Sequence, residues 1–426
     1  MPIIRSDISG LYNYSLEERQ DLIAKLVKLS SDDLKILRNL GYLSSIKLNT
    51  MIENVIGSYQ LPMGIATYFK INNKDYLIPM VIEEPSVVAA ASNAAKIARK
   101  HGGFQAEKVS SIMISQIQLT HLKDISTAKE AILKNKSQIL KMANELHPTL
   151  NKLNGGAIDI QLKELNTKRG AMLIVHLLVD VLNAMGANIV NSMAEAITPY
   201  IEQLCDSKVY LRIVSNLATY RIAKCRAVFD KELLGGAEVV DGILDALAFA
   251  EVDPYRASTH NKGIMNGIIA LALATGNDTR ALEAGAHAYA SLNGKYSPLS
   301  KYSIDADGNL IGELELPIAL GIIGGMTKIH PMANISLKIL GVKSAGELAQ
   351  VAVSLGLAQN LAALKALVSE GIQRGHMALH ARNIAKLAGA PDDLVQKVSS
   401  ILIKNNVFRL DYAKNIVNRL LAGEKL

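Results

Sequence analysis

The sequence predicts an α+β protein: a large, mainly helical domain interrupted by a smaller α/β domain, with a helical unit at the C-terminus. Three observations predict it. The chain has 426 residues, room for two to four domains at roughly 100–200 residues each. Residues 109–215 alternate strand and helix patterns in the order β-α-β-β-α-β, the ferredoxin-like or split βαβ arrangement. The C-terminal stretch carries three short amphipathic patterns near Met377–Leu387, Pro391–Lys404 and Asp411–Leu421, a unit able to move as a lid. The expected division is 1–108 and 216–375 for the large domain, 109–215 for the inserted one and 376–426 for the terminal unit.

The elements follow in order. Ser15 and Glu18 form a capping box ahead of Leu22, Ile23, Leu26 and Val27. Ser31 is expected to open a helix over Asp32–Leu40, ended by Gly41. Residues 64–71 and 75–82 read as strands around an Asn72-Asn73-Lys74 turn. Glu83-Glu84-Pro85 leads into an Ala- and Val-rich helix with Pro85 at its first position, stopped by His101-Gly102-Gly103. In the insert, Ser110–Leu119, Ala157–Leu162, Met172–Val179 and Val209–Val214 read as strands, and Ala128–Leu146 and Ala184–Leu204 as helices. Beyond 216 the chain reads as mainly helical, with strands near Tyr302–Ile304 and Leu310–Glu315.

Composition removes whole classes. Hydrophobic residues make up 49% and charged residues 20%, with 30 Gly and 11 Pro; such a chain is neither disordered, collagen-like nor a disulfide scaffold. Cys205 and Cys225 point to a reducing compartment. The N-terminus lacks the apolar run of a signal peptide. Apolar runs such as Ala171–Leu182 and Leu316–Met326 fall short of the ~18 residues that span a bilayer. A soluble cytoplasmic protein is expected, with no membrane partner. The net charge of +7 suits an anionic ligand. Scattered basic residues, no Trp and 4% aromatic residues argue against nucleic acid.

Several segments can carry chemistry, each with a plainer reading beside it. No G-x-G-x-x-G follows a strand and no P-loop occurs. Gly321–Thr327 is Gly-rich, for a ligand or for close helix packing. His376 and His380 lie one helical turn apart, a metal-like spacing without a third ligand, a general acid, or a structural pair. Asp253–Gly263 is dense in polar groups ahead of an apolar helix, Ile264–Ala274. It is a solvated loop, or Arg256 clamps a carboxylate and Lys262 stabilises an oxyanion. Asp278 is an N-cap or the partner of Lys262. Glu84 is a helix-end charge or a proton donor.

Together these segments resemble class II 3-hydroxy-3-methylglutaryl-CoA reductases, the soluble bacterial type. The carriers, in the family's order, are Glu53-Asn-Val-Ile-Gly57, Glu83-Glu-Pro-Ser86, Asn183-Ala-Met-Gly-Ala-Asn188, Asp253–Gly263, Thr275-Gly-Asn-Asp278, Gly321–Thr327 and Gly375-His-Met377. The resemblance implies a two-step, four-electron reduction of (S)-hydroxymethylglutaryl-CoA to (R)-mevalonate and CoA with two reduced nicotinamide cofactors and no metal. It implies that Glu84 exchanges protons with the reacting oxygen, Lys262 stabilises its negative charge, Asp278 tunes that network and His376 protonates the departing thiolate. Ser86, Arg256, Asn216 and Asn266 would contact the substrate. Asn183, Met185, Gly186, Asn188, Gly324 and Gly325 would bind the cofactor, the inserted domain holding it. The terminal helices would form a flap carrying His376. A homodimer or higher even oligomer with the active site between subunits is implied.

Two departures stand out. The cofactor motif usually begins with Asp; here Asn183 keeps the hydrogen-bonding capacity and loses the charge. Where NADH-preferring relatives carry an Asp against the adenine ribose, this chain has His147, with Lys141 and Lys152 near in sequence and Glu145 opposing them. A His does not repel a 2′-phosphate, so NADPH is expected, with NADH possible. The same site run backwards, oxidising mevalonate with NAD and CoA, is the alternative direction. A non-catalytic CoA- or nucleotide-binding protein is the alternative class, against which stands the retention of Glu84, Lys262, Asp278 and His376 together.

Overall fold

Among the described residues ten strands form two sheets, and each sheet has its own core. The computed structural model describes residues 11–369 and 381–424. The strands are β1 (Met63–Ile71), β2 (Lys74–Val81), β3 (Phe104–Ala106), β4 (Ile112–Thr120), β5 (Gly156–Thr167), β6 (Gly170–Asp180), β7 (Lys208–Val214), β8 (Ile222–Phe229), β9 (Ser300–Ile304) and β10 (Leu310–Pro317). The six-stranded sheet runs β2-β1-β3-β8-β10-β9, the four-stranded one β5-β6-β4-β7. This mixture of helix and sheet is the α+β architecture expected.

The six-stranded sheet draws strands from both sides of the insert. The β1–β2 hairpin turns through Asn72 and Asn73, both at positive φ (48° and 66°), as a tight two-residue turn requires. Short β3 pairs in parallel with β1 and antiparallel with β8, joining the two halves. There Phe104 stacks on Phe69 at 5.5 Å and meets Phe229 edge-on at 6.2 Å. The helices Val87–Arg99, Ala237–Val252, Pro254–Ala274 and Ala345–Val368 share this core. Ala345–Val368 has the length and apolarity of a membrane span, yet most of it is buried inside the protein. A helix apolar on all sides is at home in a core.

In the four-stranded sheet, Met113, Ile117, Leu119, Leu173, Val175, Leu177 and Val179 face the helices Ile125–Lys134, Lys136–Glu145 and Ala187–Cys205. The single helix expected over Ala128–Leu146 is two. Asn135 breaks it: its backbone leaves the helical region (φ −100°, ψ 11°) and its side-chain amide donates to the Ala131 carbonyl at 2.9 Å. The β5–β6 hairpin outruns its hydrophobic pattern, because pairing continues through exposed residues to Thr167 and Gly170.

Other expectations shift by a residue or more. Ser15 and Glu18 make both bonds of their capping box. The next helix is Ser31–Arg38, capped by Ser30 with Asp33, and it ends before Leu40, so Gly41 does not cap it. Pro85 is not the first helical residue: the helix starts at Val87, behind Ser86 in the left-handed region (φ 78°). The Ala184–Leu204 helix starts at Ala187, behind Gly186 (φ 104°). Strands β3 and β8 went unread. The first is three residues long. The second turns small residues inward, Ala223, Cys225 and Ala227, between outward Lys224 and Arg226.

The terminal unit holds helical residues 381–387 and the helices Asp392–Asn405 and Leu410–Leu421. They share a core of Ala381, Ala385, Val398, Leu402, Ala413, Ile416 and Val417, to which, among the described residues, none outside the unit contributes. The start of its first expected helix, with His376, Met377 and His380, lies outside the described residues.

Candidate active site

Asp253 determines how the polar run after it folds. Its side chain accepts from the Arg256 N–H at 2.7 Å, and Pro254 takes the first helical position. The helix therefore starts at Pro254 and runs to Ala274. The solvated-loop reading is wrong, as is a helix beginning only at Ile264. Helical spacing puts Arg256, Thr259, His260, Gly263 and Asn266 on one face. With Lys262 they line a cleft of about 590 Å³, closed by Glu84, Ser86 and the helix Ala345–Val368.

In this cleft Lys262 Nζ lies 3.0 Å from Glu84 Oε2. Arg256 is half-buried, and burial pulls its guanidinium pKa down. Ser86 Oγ, His260 Nδ1 and Gln359 Oε1 are buried with no hydrogen-bond partner among the described residues, and all three residues line this cleft. Buried polar atoms in native proteins are nearly always paired, so three orphans on three elements around one cleft set it apart as a polar site. Behind the wall, Nε2 of His260 meets Ser300 Oγ at 2.6 Å. Ser300 and Tyr302 each donate to Asn360 Oδ1 at 2.8 Å, and Asn360 donates back to the His260 carbonyl at 3.1 Å.

A second cleft of about 820 Å³ is lined by residues 184–189, Gly276–Asp278, Arg280 and residues 323–327, with segments of the N-terminal helical region. Gly186 admits no other residue. Its φ is 104°, and a Cβ would lie 2.7 Å from a Val181 methyl. It begins the 19-residue helix Ala187–Cys205, whose free N–H groups favour an anion. Gly324 and Gly325 have positive φ and open space where a Cβ would stand, so their backbone is bare to the cleft. The two walls are tied together: Ala184 pairs with Ile323, and Ile322 donates to the Asn183 carbonyl at 3.0 Å. The Asn183 side chain accepts from the Ala345 N–H at 2.9 Å, a bond that an Asp would also accept. Met185 and Asn188 line this cleft.

The remaining candidates stand apart. Asp278 caps the helix Thr279–Ala290, accepting from the Arg280 and Ala281 N–H groups, and pairs with the Arg280 guanidinium at 3.1 Å. It lies in the second cleft, not beside Lys262, so the Lys262–Asp278 pair does not form within the chain. Asn216 is exposed on the bend after β7 and lines neither cleft. His147 lines neither; its Nε2 meets Ser192 Oγ at 2.9 Å on the helix that Gly186 begins. Lys141 sits 3.9 Å from Glu145. No group of three metal-ligating side chains occurs among the described residues.

Sequence reading missed His260, Gln359, Asn277 and Arg221. Asn277 grips the Gly321 peptide at both ends, 2.8 and 3.1 Å, and it stood inside a motif already noted. Arg221 had no motif to mark it.

The family model for hydroxymethylglutaryl-coenzyme A reductase matches residues 15–381. The chain is 56% identical over 415 residues to the 3-hydroxy-3-methylglutaryl-coenzyme A reductase of Archaeoglobus fulgidus, covering 97% of this chain and 95% of that protein. It is 36% identical over 387 residues to a probable 3-hydroxy-3-methylglutaryl-coenzyme A reductase of Borreliella burgdorferi, covering 88% of this chain and 87% of that one. The class II 3-hydroxy-3-methylglutaryl-CoA reductase of Streptococcus pneumoniae, solved bound to NADPH in open conformations, superposes with a TM-score of 0.76. It is 40% identical, over 96% of this chain and all of that one.

The buried wall makes a prediction about stability. Burial, with the Arg256 charge second, lowers the His260 pKa from 6.5 to about 4. Between those values the unfolded chain binds a proton that the folded chain refuses. The residue's contribution is therefore full above pH 6.5 and lost as pH falls through about 4, by roughly 3 kcal/mol. In urea unfolding from pH 7 to pH 4, His260→Gln should flatten the decline; curves parallel to the parent would contradict this.

Proposed function

This chain belongs to the hydroxymethylglutaryl-coenzyme A reductase family, and we propose how its two clefts divide that family's reaction. It is a class II enzyme. It reduces hydroxymethylglutaryl-CoA to mevalonate and free CoA. The observation that carries the residue assignments is the Lys262–Glu84 contact, set in a cleft where three buried polar atoms lack partners among the described residues.

That cleft takes the acyl group. Arg256 clamps its free carboxylate, a charge-assisted pairing to which its fork geometry is suited. Ser86 and Asn266 contact the rest of the acyl part. Each reduction leaves negative charge on one oxygen. Lys262 holds a fixed cation there, and Glu84 delivers and recovers the proton at the same oxygen. His376, outside the described residues, protonates the departing CoA thiolate and so blocks its return.

The second cleft fits a reduced pyridine nucleotide. Gly324 and Gly325 leave space where any side chain would intrude, and Gly186 opens a long helix toward its phosphates. Met185, Gly186, Asn188, Gly324 and Gly325 line the site, and Asn183 anchors their loop. The nucleotide, when bound, supplies the hydride. His147 lies about 9 Å along the helix from Gly186, at about 1.5 Å per residue from Gly186 to Ser192. With Lys141 and Lys152 near in sequence, it tolerates a ribose 2′-phosphate where an Asp would not, favouring NADPH and the reductive, biosynthetic direction.

The two clefts must meet across a dimer. Lys262 lies about 18 Å from Ala274 along the helix, at about 1.5 Å per residue, and Asp278 lies beyond that end. No lysine spans the gap within one chain. Each copy thus supplies complementary halves of two sites, in a homodimer or higher even oligomer. Both cysteines are free thiols, in keeping with the reducing cytoplasm.

Initial rates of hydroxymethylglutaryl-CoA-dependent oxidation of NADPH and NADH test these assignments. Lys262→Ala should lower kcat by ~10²-fold or more if it stabilises the oxyanion; an undiminished rate in folded protein would remove that role. His147→Asp should move the NADPH-to-NADH ratio of kcat/KM toward NADH by about tenfold, whereas an unchanged ratio would take His147 out of cofactor choice.

A further inference from the structure

Arg221 is a buried cation whose hydrogen bonds among the described residues all go to neutral carbonyls. It is 1% exposed, in the short link between β7 and β8. Its Nη1 donates to the Ala184 carbonyl at 3.3 Å and the Met185 carbonyl at 3.0 Å, and its Nη2 to the Leu320 carbonyl at 2.6 Å. Its Nε has no partner among the described residues. Asp180 is near enough to be felt, but burial dominates and pulls the guanidinium down to about 10, still charged at neutral pH.

A buried charge without a hydrogen-bonded counter-ion is costly, and an apolar residue of similar size would serve packing better. What this charge holds explains its presence. Ala184 and Met185 lead into Gly186 and the helix N-terminus of the larger cleft. Leu320 leads into the glycine-rich wall opposite. One planar guanidinium therefore fastens both walls, on both sides of the Ala184–Ile323 bridge. Because the peptide is trans and planar, turning the Met185 carbonyl onto Arg221 turns the Gly186 N–H the other way.

We propose that Arg221 is a positioning residue for the pyridine nucleotide, fixing the two loops of its cleft in register and placing a permanent positive charge behind them. This rests on the reading of the larger cleft as the nucleotide site. Lysine keeps the charge but is a point donor that cannot hold the three carbonyls in one plane. Methionine keeps the bulk and loses both.

The test is NADPH affinity, from quenching of protein or nucleotide fluorescence in the full-length enzyme, beside KM for hydroxymethylglutaryl-CoA. In Arg221→Met the NADPH Kd should rise about tenfold or more, the scale of a lost charged hydrogen-bond set. In Arg221→Lys it should rise less. KM for hydroxymethylglutaryl-CoA should stay within about twofold in both. Should the methionine variant not fold, the lysine variant decides alone, by a rise in NADPH Kd with acyl-CoA KM held. An unchanged NADPH Kd, or equal losses for both substrates, overturns the proposal. Asn188→Glu separates it from the reading beneath. That carboxylate in the first helical turn suits the helix but repels a pyrophosphate. If Asn188→Glu leaves NADPH affinity unchanged, the cleft assignment itself fails. If it weakens NADPH while the Arg221 variants do not, only the role of Arg221 fails.

Discussion

The helix Pro254–Ala274 is the constraint on which the rest depends. One rigid rod carries Arg256, Lys262 and Asn266 along one cleft and delivers Gly276–Asp278 to the other. Its position is set by close packing on Ala345–Val368. A Cβ on Gly267 would press on Leu355 at 3.1 Å, and one on Gly356 would meet Ile268 at 2.9 Å. Two helices this near cannot slide without clashes, since close-packed interiors transmit displacement. The same rigidity keeps Lys262 and Asp278 apart in one chain, which is the observation behind the proposal of a site shared between subunits.

The two clefts use polar groups differently. In the cleft proposed for the acyl group, Ser86 Oγ, His260 Nδ1 and Gln359 Oε1 are buried without partners among the described residues, while His260 Nε2, Ser300, Asn360 and Tyr302 bond one another behind them. A lining fixed from behind holds its position without reorganising, the condition under which electrostatic stabilisation is most effective. The cleft proposed for the nucleotide has a glycine-rich wall, with open space beside Gly324 and Gly325 and side chains clamping the loops from outside. Asn277 holds Gly321, Asn183 holds the start of Ala345–Val368, and Arg221 holds both walls.

What the sequence made legible was local. The capping box at Ser15, the Asn72-Asn73 turn and the strand-helix order of the insert each rest on neighbours in sequence, and each stands in the structure. Boundaries moved where a left-handed residue intervened, at Ser86 and Gly186, because the hydrophobic period does not reveal a positive φ. The polar run after Asp253 looked like a loop because polarity outweighed its Asp-Pro start signal. Glu84 and Lys262 were found by motif, and only the fold could bring them to 3.0 Å. Arg221 and Gln359 were illegible: one arginine and one glutamine among many, made significant by burial and partners distant in sequence.

The shared site is tested most directly by mixing subunits. Lys262→Ala and Asp278→Ala chains, each inactive as a pure oligomer, would be unfolded together, refolded as a mixture and assayed for hydroxymethylglutaryl-CoA reduction. If each site takes Lys262 from one copy and Asp278 from the other, every mixed dimer regains one intact site. About a quarter of the parental activity then returns under random pairing. If both residues served the same site from one chain, no mixed dimer would hold an intact site. Activity staying at the level of the separate variants, with mixed dimers present, would contradict the account.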